Sequence, residues 1–288
     1  MPSLKKIILP PRYNYIACFL TFRCNLKCEY CVNSYGSIAR PKNLIISAEE
    51  WIIAINRLEC SKDLPITIQG GEPSLHPGFI GIIKNIRPDL KIDMLTNLSF
   101  DIDNFIAHIS PQRFKRDLPY PSIRVSYHPK YADLDEIIYK VMKMLKAGFC
   151  IGVFGILHPE FQKEIFKARE KCQNIGIDFR IKEFLGVHNG QLYGTYYYQE
   201  AVTKDTSKKC LCRISELLID PGCNVYRCHR DLYKSFLPIG SLLDDSFEVR
   251  DVFRGCNHFG DCNPCDVKLK TNRFQKYGHT SVEIKAPE

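Results

Sequence analysis

The sequence has no long apolar run and no long basic tract, and both absences limit what the protein can be. No apolar stretch in its 288 residues approaches the roughly 18 residues of a membrane-spanning helix. The apolar part of the amino-terminal region, Ile7-Ile8-Leu9, is too short for a secretion signal. The formal net charge is +8, but the charges are spread along the chain, as on an ordinary solvated surface. We therefore expect a cytoplasmic protein without a membrane or nucleic-acid partner.

Cysteine, by contrast, is abundant, with 14 residues. Disulfides are rare in reducing compartments, so clustered cysteines there indicate metal or redox chemistry. Three cysteines lie between Cys24 and Cys31, and seven lie between Cys210 and Cys265. We expect the scattered remainder to be buried free thiols that pack as small apolar groups: Cys18, Cys60, Cys150 and Cys172.

The first group, Cys24, Cys28 and Cys31, carries the strongest functional signal. Three closely spaced thiolates can hold three irons of a four-iron cluster and leave the fourth iron without a protein ligand. A cluster that only carries electrons is normally closed by four ligands, whereas an open position is typical of a site that binds a substrate or cofactor. The alternative is a structural zinc site, but zinc commonly takes four ligands in Cys-x2-Cys pairs, and no fourth ligand is nearby. The spacing therefore predicts catalytic chemistry.

A second motif, Gly70-Gly71-Glu72-Pro73, follows further along the chain. Cys-x3-Cys-x2-Cys with Tyr30 before the last cysteine, followed by Gly-Gly-Glu-Pro, resembles the motifs of radical S-adenosylmethionine (radical SAM) enzymes. The resemblance implies a [4Fe-4S] cluster whose open iron chelates S-adenosylmethionine. It also implies reductive cleavage of that cofactor to a 5′-deoxyadenosyl radical, which abstracts hydrogen from a substrate, and an electron donor such as flavodoxin or ferredoxin.

Strand-like and helix-like segments alternate over the first two-thirds of the chain. The strand candidates are short and mostly apolar or β-branched: Tyr15–Leu20, Pro65–Gln69, Lys91–Leu95, Ser122–Tyr127, Phe149–Leu157 and Asp178–Phe184. Helices are predicted from Ser47 to about Cys60, over Asp133–Ala147 and over Glu160–Asn174. This order predicts an α/β fold with a parallel sheet. The resemblance implies a partial (β/α)6 TIM-like barrel, over residues 1–205, with its active site at the carboxyl ends of the strands.

The resemblance also implies further cofactor contacts around the cluster: Tyr30, Gly70, Gly71, Glu72, Pro73, Thr96, Asn97 and Ser126. We expect Glu72 to brace its loop rather than to act as a base. For Thr96, Asn97 and Ser126, a hydrogen bond at the strand end is an equal alternative. His128 and His158 also follow strands, and the sequence assigns them no role.

The second cysteine group is predicted to form a small domain over residues 206–288. Glu216–Ile219 and Asn224–His229 read as a β-hairpin in which Ile219 faces Asn224. The group resembles the auxiliary-cluster domains called twitch and SPASM, which implies a second [4Fe-4S] cluster. We assign Cys212, Cys228, Cys262 and Cys265 as its ligands, with Cys210 as the alternative to Cys212 and with Cys223 and Cys256 unassigned. A zinc ribbon is the structural alternative.

The sequence thus predicts a radical SAM enzyme that performs an oxidation or forms a carbon bond with help from the auxiliary cluster. Only 23 residues precede Cys24, so we expect a small-molecule substrate, or a peptide delivered by a separate partner. Two alternatives stay open. One is a non-catalytic zinc or iron–sulfur protein, with RNA among its candidate partners. The other is an enzyme that uses the same cofactor for methyl transfer without radical cleavage.

Overall fold

The computed structural model describes residues 4–32, 45–60, 64–272 and 275–287, and a large β-sheet forms its centre. Six strands of this sheet are parallel, and each pairs with the next one along the chain. They are β1 (Tyr15–Phe19), β2 (Ile66–Gln69), β3 (Ile92–Thr96), β4 (Ile123–Tyr127), β5 (Ile151–Leu157) and β6 (Phe179–Glu183). The predicted α/β class is confirmed, because short apolar segments covered on both faces form parallel strands.

Helices connect the strands: α1 (Ala48–Asn56), α2 (Phe79–Asn85), α3 (Ile102–His108), α4 (Leu134–Lys146) and α5 (Gln162–Asn174). The predicted capping box of α1 is present, since Glu50 N–H donates to Ser47 Oγ and Ser47 N–H donates to the Glu50 carboxylate. Helices α2 and α3 were not predicted from the sequence, because they are too short to show a clear helical period. Short 3₁₀ helices span Pro73–Leu75, Pro111–Phe114, Pro159–Phe161 and Gln199–Val202.

The carboxyl-terminal part extends the barrel sheet and adds a second sheet. Its strands are β7 (Cys210–Ile214), β8 (Glu216–Ile219), β9 (Asn224–Tyr226), β10 (Gly240–Ser241), β11 (Arg254–Cys256) and β12 (Val282–Lys285), with helices α6 (His229–Tyr233) and α7 (Pro264–Val267). Strand β8 runs parallel to β1, so the β8–β9 hairpin and β10 continue the barrel sheet beyond β1. Strands β11, β7 and β12 form an antiparallel three-stranded sheet.

Three short strand pairs complete the described secondary structure. Ile7–Ile8 pairs with Leu58–Glu59, Gly186–His188 with Gln191–Tyr193, and Lys270–Asn272 with Gln275–His279. Within the described ranges, no helix has both the length and the apolar character that a bilayer crossing requires.

The hairpin between β8 and β9 corrects the predicted register. Ile219 faces Val225 rather than Asn224, which instead accepts a backbone hydrogen bond from Asp220 N–H. The loop therefore has three residues and ends on Cys223, whose φ of 60° is left-handed, as in three-residue hairpin loops that finish with a left-handed residue. The Asp220 carboxylate stabilises this loop by accepting hydrogen bonds from Gly222 N–H and Asn224 N–H.

Most buried apolar side chains form one core between the barrel sheet and its helices, and Cys18 and Cys172 belong to it. Cys60 is half-buried and packs against the same core, whereas Cys150 is half-buried and is not part of it, so full burial was predicted wrongly for these two thiols. A small second core consists of Tyr196, Ala201, Cys262 and Val267. It combines residues from both sides of position 205, and the predicted domain boundary there stays a prediction.

A buried carboxylate joins charged groups inside the barrel. Asp93 on β3 is fully buried and contacts Arg116, the Tyr120 hydroxyl at 3.2 Å and Arg124 on β4 at 3.3 Å. Buried charges require such partners, because desolvation of an isolated ion costs several kcal/mol. Asp93 thus balances the two guanidinium groups and links β3 to β4.

Asp93→Ala should therefore lower the free energy of unfolding by about 3–5 kcal/mol, because it leaves Arg116 and Arg124 without their carboxylate. Asp103→Ala is the matched control, since Asp103 makes an exposed ion pair with Lys143 and should cost less than about 1 kcal/mol. Urea unfolding followed by circular dichroism measures both. Equal midpoints for the two variants would contradict a stabilising role for Asp93.

Candidate cluster and cofactor site

The three amino-terminal cysteines lie on the loop that directly follows β1. Cys24 is exposed, and Cys28 and Cys31 are half-buried. Cys31 N–H donates to Cys28 O at 3.2 Å, and Leu26 N–H points to Cys24 Sγ at 3.4 Å. Burial, together with the neighbouring Cys31 and Cys24, raises the pKa of Cys28 to about 12. Three thiols on one short loop are a donor set that a bound metal centre stabilises as thiolates.

Gly70 and Gly71 press directly against the backbone of this loop. A Cβ atom on Gly70 would lie 2.2 Å from Thr21 O, and one on Gly71 would lie 2.3 Å from Arg23 O. Gly71 N–H donates to Thr21 O at 2.8 Å, and Glu72 N–H donates to Arg23 O at 2.8 Å. The two motifs are therefore one structural unit, because only glycine allows this approach.

The Glu72 carboxylate is completely buried and braces the loop, as expected. Its Oε1 accepts hydrogen bonds from Thr96 Oγ1 at 2.8 Å and from the hydroxyl and N–H of Ser74. Its Oε2 accepts from Asn97 N–H at 2.7 Å. Burial raises the pKa of Glu72 while these donors oppose the rise. The adjacent Pro73 is also buried and begins the 3₁₀ turn Pro73–Leu75.

The surroundings differ among the three residues that were predicted either to contact the cofactor or to form a hydrogen bond at a strand end, namely Thr96, Asn97 and Ser126. The Thr96 hydroxyl donates to Glu72 and accepts from Leu98 N–H, so it is engaged within the protein. Asn97 reaches the cysteine loop, with its Nδ2 2.8 Å from Asn25 Oδ1 and 4.0 Å from Cys24 Sγ. Ser126 is half-buried on β4, level with Phe154 of β5. Their roles as cofactor contacts stay predictions.

Tyr30 belongs to an aromatic group that the sequence analysis did not foresee. Its hydroxyl lies 3.0 Å from His128 Nδ1, and its ring stacks on His158 at 4.9 Å between centroids. Burial lowers the pKa of His128 to about 4, so this imidazole is neutral near pH 7. Both histidines precede prolines at strand ends. This position is the sequence feature from which their place near the site could have been predicted. Together they fix Tyr30 beside the cysteine loop.

In the carboxyl-terminal part, three thiols come together: Cys210, Cys212 and Cys256 lie within 4.8 Å of one another. Cys210 Sγ is 3.4 Å from Cys212 Sγ, because residues two apart on β7 share a face, and Cys210 pairs with Cys256 across β7 and β11. Burial, and then the charge of Asp266, raise the pKa of Cys262, and the charges of Cys256 and Cys210 add to this rise.

The structure thus groups Cys212 with two thiols outside the predicted ligand set. For the predicted ligands Cys228 and Cys265, burial is the main cause of a raised pKa, and the charge of Asp266 adds to the rise in both. Cys228 directly precedes α6, and Cys265 lies in α7. Cys223 is buried in the hairpin loop near Cys18. The cross-strand pairing of β7 and β11, which brings Cys256 in, could not be read from the local pattern.

Comparisons with known proteins agree with this site. No protein-family model matches the chain. The chain is 21% identical over 187 residues to GTP 3′,8-cyclase of Clostridium perfringens (strain SM101), which covers 62% of this chain and 58% of that protein. It is 33% identical over 189 residues to molybdenum cofactor biosynthesis protein 1 of Drosophila melanogaster, which covers 60% of this chain and 32% of that protein. The chain spans a little over half the length of the first of these relatives.

Solved structures share the fold. The protein anSMEcpe with bound AdoMet and the Kp18Cys peptide matches with a TM-score of 0.53 and 15% identity, covering 80% of this chain and 77% of that one. Streptococcus suis SuiB bound to its precursor peptide SuiA matches with a TM-score of 0.57 and 12% identity, covering 81% of this chain and 63% of that one. Fold and motif define an open parallel barrel with a three-cysteine loop at the carboxyl end of its first strand. The chain thus resembles radical SAM enzymes in its cysteine motif, and it is similar in sequence to GTP 3′,8-cyclase and in fold to anSMEcpe and SuiB.

Gly71→Ala should prevent normal iron incorporation, because its new Cβ would push Arg23 and the cysteine loop away. Gly81→Ala is the control, since Gly81 lies in α2 with nothing within 4 Å of an added Cβ, and alanine in a helix adds about 0.5–1 kcal/mol of stability. Iron and sulfide per chain after anaerobic reconstitution is the measurement. A Gly71→Ala protein with wild-type iron would refute the close contact.

Proposed function

We propose that Cys24, Cys28 and Cys31 bind a [4Fe-4S] cluster and that the chain uses it to cleave S-adenosylmethionine. When bound, the cluster supplies the electron that splits the cofactor into methionine and a 5′-deoxyadenosyl radical, which abstracts hydrogen from the substrate. The chain's own residues provide positioning and exclude water. The observation that carries this proposal is the contact between the cysteine loop and Gly70–Glu72, which aligns two strand-end segments at one site.

The residues around the loop fit the cofactor. Three thiols leave one position of a four-iron cluster open, and Gly70 and Gly71 bring their backbone against the cysteine loop, where an added Cβ would clash with Thr21 O and Arg23 O. Asn97 places a side-chain amide next to Cys24, and Tyr30 offers an aromatic face on the same loop. We propose these residues as contacts to the cofactor, with Glu72 and Thr96 holding the segment that presents them.

The second cysteine group supports an auxiliary centre in a twitch- or SPASM-like unit. SuiB, to which the fold is similar, is described with a precursor peptide, and the name of a matched relative identifies GTP as its substrate. We propose a substrate of either kind, a peptide or a small molecule, that is oxidised or joined through a new carbon bond. The required electron would come from a donor such as flavodoxin or ferredoxin.

A cytoplasmic location is also part of the proposal. All 14 cysteines are described, and every one is a free thiol. Free thiols in this number suit a reducing compartment, where disulfides rarely persist.

Cys24→Ala should abolish 5′-deoxyadenosine formation under reducing, anaerobic conditions, because the cluster loses one of its three ligands. Cys150→Ala, at a half-buried thiol outside both cysteine groups, should keep it. Liquid chromatography of the products measures both. Purified protein that contains zinc, or clusters whose spectrum ignores added S-adenosylmethionine, would favour the non-catalytic metal protein. A methylated product without deoxyadenosine would favour methyl transfer.

Cysteine variants should also identify the auxiliary ligands. The reconstituted chain should hold about eight irons if it carries two four-iron centres. Cys265→Ala should reduce this to about four and keep cofactor cleavage while substrate turnover is lost. Cys210→Ala and Cys256→Ala test the thiol group that the fold brings together. Loss of four irons in these two variants but not in Cys265→Ala would overturn the predicted ligand set.

A further inference from the structure

Lys182 lies on the interior face of the open barrel. On β6, Ile181 faces α5, since its register partner Gly155 sits against Ile165 of that helix. Side chains alternate along a strand, so Lys182 points the other way. Its Nζ lies 5.0 Å from the centre of the Phe154 ring on β5. Solvent reaches the side chain, although protein surrounds it on the barrel side.

The charge of Lys182 is not balanced by the protein. Among the described residues, no carboxylate lies within ion-pair distance of its Nζ. The charged side chains that act on it are mainly cations, namely Arg124, Lys268 and Lys270. Burial, and then the charge of Arg124, lower the pKa of Lys182 to about 7. A cation that lies near other cations is stabilised when an anion joins it.

Two of the neighbouring cations have carboxylate partners, whereas Lys182 has none among the described residues. Arg124 pairs with Asp93 at 3.3 Å, and Lys270 pairs with the buried Glu216. Lys268 is half-buried and has no carboxylate partner in the described part of the chain. Lys182 and Lys268 are therefore the two cations of this group that lack a carboxylate partner among the described residues, and Lys182 lies at the strand end.

Lys182 lies near Cys265 and at the end of the barrel that carries the cluster loop. Burial is the main cause of the pKa shifts of Lys182 and Tyr233, and the charge of Cys265 in the carboxyl-terminal group contributes to both. Cys31 of the cluster loop acts on the same Tyr233. Lys182 is also one residue from the carboxyl end of β6, and active sites of parallel α/β barrels are built at that end. A ligand held there would lie at the end of the barrel that carries the cluster loop.

We propose that Lys182 binds an anionic group of the substrate, a phosphate or a carboxylate, inside the barrel. This inference rests on the proposed function, because the bound molecule is the substrate of that reaction. The ammonium group forms a charge-assisted hydrogen bond with the anion, and Lys268 adds a second positive charge. The substrate class is thereby narrowed to molecules with a negatively charged group.

Isothermal titration calorimetry on the anaerobically reconstituted full chain tests the inference, with inorganic phosphate and acetate as separate probes and without S-adenosylmethionine. Wild type should bind at least one probe at millimolar concentration, and added salt should weaken binding. Lys182→Gln should bind it at least tenfold more weakly, and Lys182→Arg should retain binding. Lys171→Gln, at an exposed lysine on α5 paired with Asp135, should match wild type.

The outcomes separate the possibilities. Binding of phosphate alone, acetate alone or both identifies the anion chemistry that the site accepts. No binding to wild type, or equal binding to Lys182→Gln, overturns the inference. Lys182→Met keeps the apolar stem and replaces the glutamine variant if that one fails to fold. Deoxyadenosine formation is measured in parallel: its absence in wild type refutes the proposed function but leaves the anion measurement valid, and its persistence in Lys182→Gln excludes a general loss of the cluster site.

Discussion

The buried carboxylate of Glu72 is the interaction on which the site depends. It accepts hydrogen bonds from the end of β3 through Thr96 and Asn97, while its own N–H donates to the loop after β1. Three strand ends are thereby fixed relative to one another. A hydrogen bond to a charged acceptor contributes about 1.5–3 kcal/mol, and here several act on one side chain. The thiols, the glycine segment and Asn97 keep their arrangement because this carboxylate connects the elements that carry them.

Much of the fold could be predicted because its signals are local. All six parallel strands lie within two residues of the predicted bounds, since buried strands between helices are short apolar segments with polar ends. The Ser47–Glu50 capping box located α1 for the same reason. The cluster motif and Gly70–Gly71 could also be predicted, because each consists of residues that are close together in the sequence.

The features that were not predicted from the sequence depend on contacts between segments that are far apart in the chain. The sequence pattern predicted the β8–β9 hairpin but not its partner β1, because edge pairing is decided by which strand is left uncovered. The register shift at Cys223 arises from a left-handed backbone that favours glycine and that a cysteine rarely adopts. Likewise, Cys256 joins Cys210 only through the pairing of β7 with β11. Lys182 looks like an ordinary polar strand residue until the barrel places it beside other cations.

The pairing of β8 with β1 has a consequence for how the protein matures. Tyr15 and Glu216 are neighbours in the sheet, yet the ribosome makes one long before the other. Until the hairpin emerges, the edge of β1 stays uncovered, and an uncovered edge invites association with other chains. The loop that carries Cys24 follows this same strand. The edge of β1 is therefore covered only after the residues up to Tyr226 have been synthesised.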